Sequence, residues 1–198
     1  GSVALSVIPT TPVAPSAITP EGKAFIENER GEGELVPFVR PRALDIEEIP
    51  YIVAQYERAA RNAQAAGFDG VEIHAANGYL LDQFIESGTN RRADSYGGRI
   101  ESRARLLIEV AEALMRIWGP DRIGVRLSPM GRMNDIHDDQ PEATFGHIAE
   151  RLSDYGFAYL HVVNPAMEQM QSGKAPDPPA LGMVETIRKK FKGTLMVA

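Results

Sequence analysis

The sequence predicts an α/β fold built on a parallel sheet. Three observations predict it: four short apolar segments of strand character, an amphipathic helical segment ahead of each, and the spacing between them. Strands alternating with helices at this spacing argue for parallel pairing through right-handed crossovers. No Gly-rich dinucleotide fingerprint follows any of the strands, so nothing favours a Rossmann arrangement. A complete (β/α)8 barrel typically takes ~250 residues. A chain of 198 residues with four strands leaves either a small open sheet or part of a barrel.

The elements follow in order. Residues 1–44 are crowded with turn formers, among them Pro9, Pro12, Pro15, Pro20, Gly22, Gly31, Gly33, Pro37 and Pro41. They are expected to form a long irregular excursion with a hairpin around Gly31 to Val39. Such a loop in a compact domain is usually functional. Residues 45–198 are expected to form a partial barrel of four strand–helix units. Asp45 followed by Glu48 is a capping-box pattern. Ile46, Ile49, Ile52, Val53, Tyr56, Ala60 and Ala63 then share one helical stripe, and Gly67 ends it. Gly70 to His74 reads as a strand, and Leu80 to Ile85 as a short helix. Ile100 to Trp118 reads as a long helix with Ala104, Leu107, Ala111, Leu114, Met115 and Trp118 inward, stopped by Gly119-Pro120. Ile123 to Leu127 is the second strand. Pro141 opens a helix, because proline suits the first helical position, with Phe145, Ile148, Ala149 and Leu152 inward. Tyr159 to Val163 is the third strand. A Pro/Gly-rich loop leads to a helix from about Met183 to Phe191, and Thr194 to Val197 is the fourth strand.

Composition narrows the function classes. The chain is 43% hydrophobic and 24% charged with a net charge of −6. It is too apolar for a disordered chain, and its acidity argues against a nucleic-acid partner. No apolar run approaches the ~18 residues of a spanning helix, so no membrane partner is expected. The absence of cysteine removes disulfides, thiolate metal sites and a cysteine nucleophile. Gly1 to Pro9 has no basic region of the signal-peptide kind, and a cytoplasmic location is expected.

Side chains alternate across a strand. Val71 and Ile73 share one face and Glu72 and His74 the other. Val125 and Leu127 oppose Gly124, Arg126 and Ser128. Leu160 and Val162 oppose Tyr159 and His161. The apolar face suits a layer of helices. The other face gathers ionisable groups toward the carboxyl end, where α/β barrels keep their active sites. Three readings stay open on pattern alone. In the first, His74 and Asn77 donate hydrogen bonds to one substrate oxygen and stabilise charge developing there. Tyr79 supplies a proton, and Arg126 is a fixed cation for an anionic ring or carboxylate. In the second, Glu72, His74 and His161 ligate a metal, a known ligand set at a weak spacing. In the third, His74 and His161 are hydrogen-bonded core histidines, Arg126 neutralises Glu72, and Tyr79 is an ordinary half-buried aromatic.

The stretch from Gly67 to Phe84, with His74-Ala75-Ala76-Asn77-Gly78-Tyr79 at its centre, resembles the Old Yellow Enzyme family of FMN-dependent ene-reductases. The likeness continues through Asn90 to Gly98, Glu101 to Arg105, and Ile123 to Pro129, and includes Pro12 to Ala17 and Pro41 to Leu44. This resemblance implies a (β/α)8 TIM barrel with FMN at its carboxyl-terminal mouth. It also implies reduction of the flavin by NADH or NADPH and hydride transfer to an activated alkene, an enone or nitroalkene. By the same resemblance His74 and Asn77 would bind the substrate oxygen, Tyr79 would protonate the α-carbon, and Arg126 would sit by the pyrimidine edge of FMN.

Two stretches differ from that pattern. Met130-Gly131-Arg132-Met133 stands where the family often has an aromatic, so Met133 is a candidate substrate contact with a softer side chain. The loop from Asn164 to Pro179 is expected to cover part of the mouth, with Met167 and Met170 as further candidates. The flavin-holding strands that begin the family and the phosphate-binding segments that end it have no counterpart here. The chain is therefore expected to span from the loop after the third strand to the seventh strand. A complementary chain or a homo-oligomer is the expected partner, because an exposed sheet edge invites pairing. The alternatives to an ene-reductase are a non-catalytic self-associating barrel fragment and a metal-dependent barrel enzyme.

Overall fold

The computed structural model describes residues 11–27 and 30–198. Residues 1–10 and 28–29, part of the expected irregular excursion, lie outside the described residues.

The excursion contains more regular structure than its composition suggests. β1 (Val13–Ala14) pairs in parallel with β4 (Arg42–Ala43). Between them, β2 (Lys23–Glu27) and β3 (Gly33–Pro37) form an antiparallel hairpin. The segment expected to hold the whole hairpin supplies only its second strand. The first, Lys-Ala-Phe-Ile-Glu, was missed because only Ile26 among its residues is buried, leaving little period-2 signal.

The capping box forms as expected. Asp45 N–H donates to Glu48 Oε2 at 2.8 Å while the Asp45 side chain accepts from the Glu48 backbone. Residues Ile46–Glu48 make a 3₁₀ turn, and α1 (Ile49–Ala65) starts behind it with Pro50 in its first turn. The other helices are α2 (Leu80–Ile85), α3 (Ile100–Trp118), α4 (Pro141–Ser153), α5 (Pro165–Gln171) and α6 (Pro178–Lys190). The expected loop from Asn164 to Pro179 is thus corrected. Asn164 Oδ1 accepts from Ala166 N–H at 3.1 Å, which caps α5. Asp177 Oδ1 accepts from Ala180 N–H at 2.9 Å, which starts α6 ahead of Met183. In both, an Asn/Asp cap precedes a proline at the helix start, the arrangement that suits the unpaired first turn.

β5 (Val71–Ala75), β6 (Ile123–Leu127), β7 (Tyr159–Val162) and β8 (Leu195–Val197) form one parallel sheet in that order. One face carries Ile73, Ala75, Val125, Leu127, Leu160 and Val162, all buried. It packs under Leu107, Val110 and Leu114 of α3, Phe145, Ile148 and Leu152 of α4, and Met183 and Ile187 of α6. Burying each such large side chain is worth ~1.5–3 kcal/mol. This helix-backed face holds the opposite, polar face in fixed register. Among the described residues no helix is long and apolar enough to cross a membrane.

Candidate active site

The strand register aligns the polar face into rows. His74 of β5 lies opposite Arg126 of β6, Arg126 opposite His161 of β7, and His161 opposite Met196 of β8. One layer toward the amino ends, Glu72, Gly124 and Tyr159 align likewise. Gly124 leaves room for the Tyr159 ring, which a Cβ there would displace. Glu72 Oε2 lies 3.1 Å from His161 Nδ1 and also bonds the Tyr159 phenol, whose pKa is raised by burial and then by that carboxylate. Glu72 is therefore taken up by His161 and Tyr159, not by a neutralising contact with Arg126. Among the described residues no cluster of His, Asp and Glu could hold a metal ion, so Glu72, His74 and His161 are not brought together as ligands.

His74 and Arg126 sit at the carboxyl end of this face, both half-buried. The imidazole is held below the ordinary histidine range, first by burial and then by the nearby Arg126 cation, with Glu72 opposing. A neutral ring keeps one N–H as a donor. Arg126 Nε is buried and has no hydrogen-bond partner among the described residues. Tyr79 is half exposed, and its ring centroid lies 5.2 Å from that of His74.

A strained turn links these groups. Asn77 and Gly78 both have left-handed backbone, φ 58° and 73°. Asn tolerates this region and Gly suffers no Cβ clash in it. Gly78 is required for a second reason, since a Cβ there would lie 2.5 Å from the Met133 carbonyl oxygen. Met133 therefore backs the turn through its main chain, while its side chain is about half exposed. Asn134 Nδ2 donates to the Asn77 carbonyl at 3.0 Å from the same segment. Met167 and Met170 are exposed on α5.

Behind the turn lies a buried polar layer that sequence reading did not find. Ser128 Oγ accepts from Asn77 N–H at 2.6 Å and donates to Asp82 Oδ2 at 3.0 Å. The same Asp82 oxygen accepts from Gly78 N–H at 3.0 Å, and Gln83 Nε2 donates to the Gly78 carbonyl at 2.7 Å. Burial pushes Asp82 up to about 7, against the pull of Gly78 and Ser128, with Glu168 adding to the rise. Glu86, one turn on, is pushed up to about 10, by burial first and then by Asp82 and Asp138, with Arg132 and Arg103 opposing. The only sequence signal was a pair of acids four apart, Asp82 on the short helix and Glu86 at its end. It gave no hint that Asp82 faces Ser128, 46 positions away.

The charged motif after α2 serves as scaffold. Asn90 Nδ2 donates to the carbonyls of Phe84 and Tyr96 at 2.6 and 2.7 Å. Arg92 pairs with Asp94 at 2.6 Å and donates to the Pro15 carbonyl at 3.1 Å, tying β1 to this loop. Arg103 donates to the Ile85 and Gly98 carbonyls, to Asp138 and to Thr144, all within 2.7–2.9 Å.

Comparison with known proteins gives the family and the fold. Residues 10–196 match the model of the NADH:flavin oxidoreductase / NADH oxidase family. The chain is 42% identical over 178 residues to 12-oxophytodienoate reductase 2 of Arabidopsis thaliana, an alignment covering 89% of this chain and 46% of that protein. It is 40% identical over 183 residues to the "Probable flavin mononucleotide-dependent alkene reductase" of Leishmania infantum, covering 92% of this chain and 48% of that one. Among solved structures, morphinone reductase superposes with a TM-score of 0.87 at 45% identity, over 95% of this chain and 49% of its own. The old yellow enzyme homologue from Zymomonas mobilis gives a TM-score of 0.87 at 40% identity, over 99% of this chain and 53% of its own. The chain thus spans about half the length of the relatives it matches, and its four parallel strands are part of a (β/α)8 TIM barrel. On the family match and on this fold, the chain belongs to the NADH:flavin oxidoreductase / NADH oxidase family, the Old Yellow Enzyme family.

Proposed function

We propose that this protein is part of an FMN-dependent ene-reductase that reduces activated C=C bonds, in enones or nitroalkenes, with NADH or NADPH. The observation that carries the reading is one constellation at the carboxyl end of the sheet. His74 and Arg126 are register partners, the Asn77 turn follows His74 directly, and the Tyr79 ring lies 5.2 Å from the His74 ring. The family match supplies the flavin context.

The residues present fit FMN at one point. The buried Arg126 Nε has a donor to spare, suited to an acceptor on the flavin's pyrimidine edge, and its fixed charge suits an electron-rich ring. When bound, FMN supplies the hydride that reaches the β-carbon of the alkene. His74, neutral because it is half-buried beside a cation, and Asn77 donate hydrogen bonds to the carbonyl or nitro oxygen as it gains electron density. Tyr79 holds the proton delivered to the α-carbon. Met133 lines the substrate side of the mouth as an adaptable wall. The edges β5 and β8 pair with the remaining barrel strands, and a cytoplasmic location supplies the nicotinamide reductant.

Tyr79→Phe tests the reading. Reduction of an enone in deuterated water by wild-type protein places deuterium at the α-carbon. The variant slows that step about 10²-fold or more while the flavin is still reduced by nicotinamide. Unchanged enone reduction by the variant removes Tyr79 from the role.

A further inference from the structure

We propose that Asp82 and Ser128 are positioning residues that fasten the oxygen-binding turn to the strand carrying Arg126. This rests on the ene-reductase reading, which it extends. Asn77 and Gly78 are consecutive left-handed residues, so their two N–H groups point away from any helix or strand ladder and need partners of their own. The partners are Ser128 Oγ for Asn77 at 2.6 Å and Asp82 Oδ2 for Gly78 at 3.0 Å. Ser128 then donates its own proton to Asp82 Oδ2 at 3.0 Å. One carboxylate oxygen thus closes a ring through two loops.

Ser128 lies two positions after Arg126, and Asp82 lies three after Tyr79. The ring therefore joins the cation on β6 to the donors and the phenol after β5. Both residues are buried, Asp82 completely, so water does not substitute for a lost bond at low cost. The role asks for an acceptor rather than a charge. Asp82 Oδ1 is buried without a partner and is free to carry a proton while Oδ2 still accepts both bonds. Complete burial, with Glu168 of α5 nearby, favours that neutral form. A loosened turn would misplace His74 relative to Asn77, and misplacement of about 1 Å costs on the order of 10² in rate.

The test uses the FMN-loaded holoenzyme with Ser128→Ala, Asp82→Ala and Asp82→Asn. Two readouts are taken: the single-turnover rate at which an enone reoxidises the reduced enzyme, and amide hydrogen exchange at Asn77 and Gly78. Ser128→Ala and Asp82→Ala are expected to slow reoxidation at least tenfold and speed exchange at the two amides, while FMN affinity stays within about twofold. Asp82→Asn, whose amide oxygen accepts the same two bonds, is expected to recover most of both. Wild-type exchange and rate in the alanine variants, or an Asn variant as impaired as the Ala variant, would overturn the proposal. If wild-type enzyme leaves enones unreduced while exchange responds as described, the fastening stands and the ene-reductase reading falls.

Discussion

Glu86→Gln is the sharpest test of the buried layer. The Glu86 carboxyl is buried, neither of its oxygens has a hydrogen-bond partner among the described residues, and its pKa is pushed up to about 10. In the unfolded chain the group titrates near 4.5. Between these values the folded state holds a proton that the unfolded state has lost, so stability falls as pH rises, by about 1.4 kcal/mol per pH unit. At pH 7 the cost is on the order of 3 kcal/mol. Glutamine has nearly the same shape, is neutral at every pH and removes that cost. Urea unfolding of wild type and variant at pH 5, 7 and 9 is expected to show little difference at pH 5 and a growing advantage for the variant above it. Asp82, raised to about 7, contributes a slope of the same sign below that pH in both proteins, and its charge is one cause of the Glu86 rise, so the difference between the proteins reads Glu86 together with that neighbour. A variant equal to or weaker than wild type at pH 9 would refute the reasoning and mean that Arg132 and Arg103 hold Glu86 as a charged partner.

Four further outcomes follow from the geometry and the electrostatics. Arg103→Ala leaves Asp138, whose side chain is 1% exposed, without its cation; unfolding measurements are expected to show a loss of about 3–5 kcal/mol. Gly78→Ala combines a left-handed φ with a Cβ 2.5 Å from the Met133 carbonyl oxygen; the left-handed backbone alone costs about 1–2 kcal/mol, and enone turnover is expected to fall at least tenfold as the turn shifts. The pH profile of enone kcat/KM is expected to have its acidic limb below the usual histidine value of about 6.5, because His74 is lowered by burial and Arg126. Glu72→Gln removes the opposing charge and is expected to move that limb lower still, and a limb above 6.5 would contradict the assignment to His74.

The parallel sheet and its helices were legible because their signals are local. Ile100 to Trp118 and Pro141 onward carry a 3.6-residue apolar stripe, and observed α3 and α4 start at Ile100 and Pro141. Strand alternation separated His74 and Arg126 from the core face, and the register places them side by side. The proposed chemistry rests on the segment around His74-Ala75-Ala76-Asn77-Gly78-Tyr79 rather than on periodicity. What stayed hidden was either weakly patterned or long-range. β2 has too little burial to show a pattern, α5 is a short helix in a Pro/Gly-rich stretch, and the link from Ser128 to Asp82 joins residues whose sequence neighbours say nothing of each other. Glu72 and His161, grouped in the sequence as metal ligands, instead pair with each other across two strand spacings and 89 positions of chain.

In the proposed site His74 and Asn77 address one oxygen beside a flavin contacted by Arg126. A crystal structure of the FMN-loaded enzyme with a bound enone tests it most directly. The expected complex has a His74 ring nitrogen and Asn77 Nδ2 both within about 3.2 Å of the same carbonyl oxygen, with Arg126 Nε donating to the flavin. An enone oxygen held by neither residue, or Arg126 turned from the flavin into solvent, would contradict it.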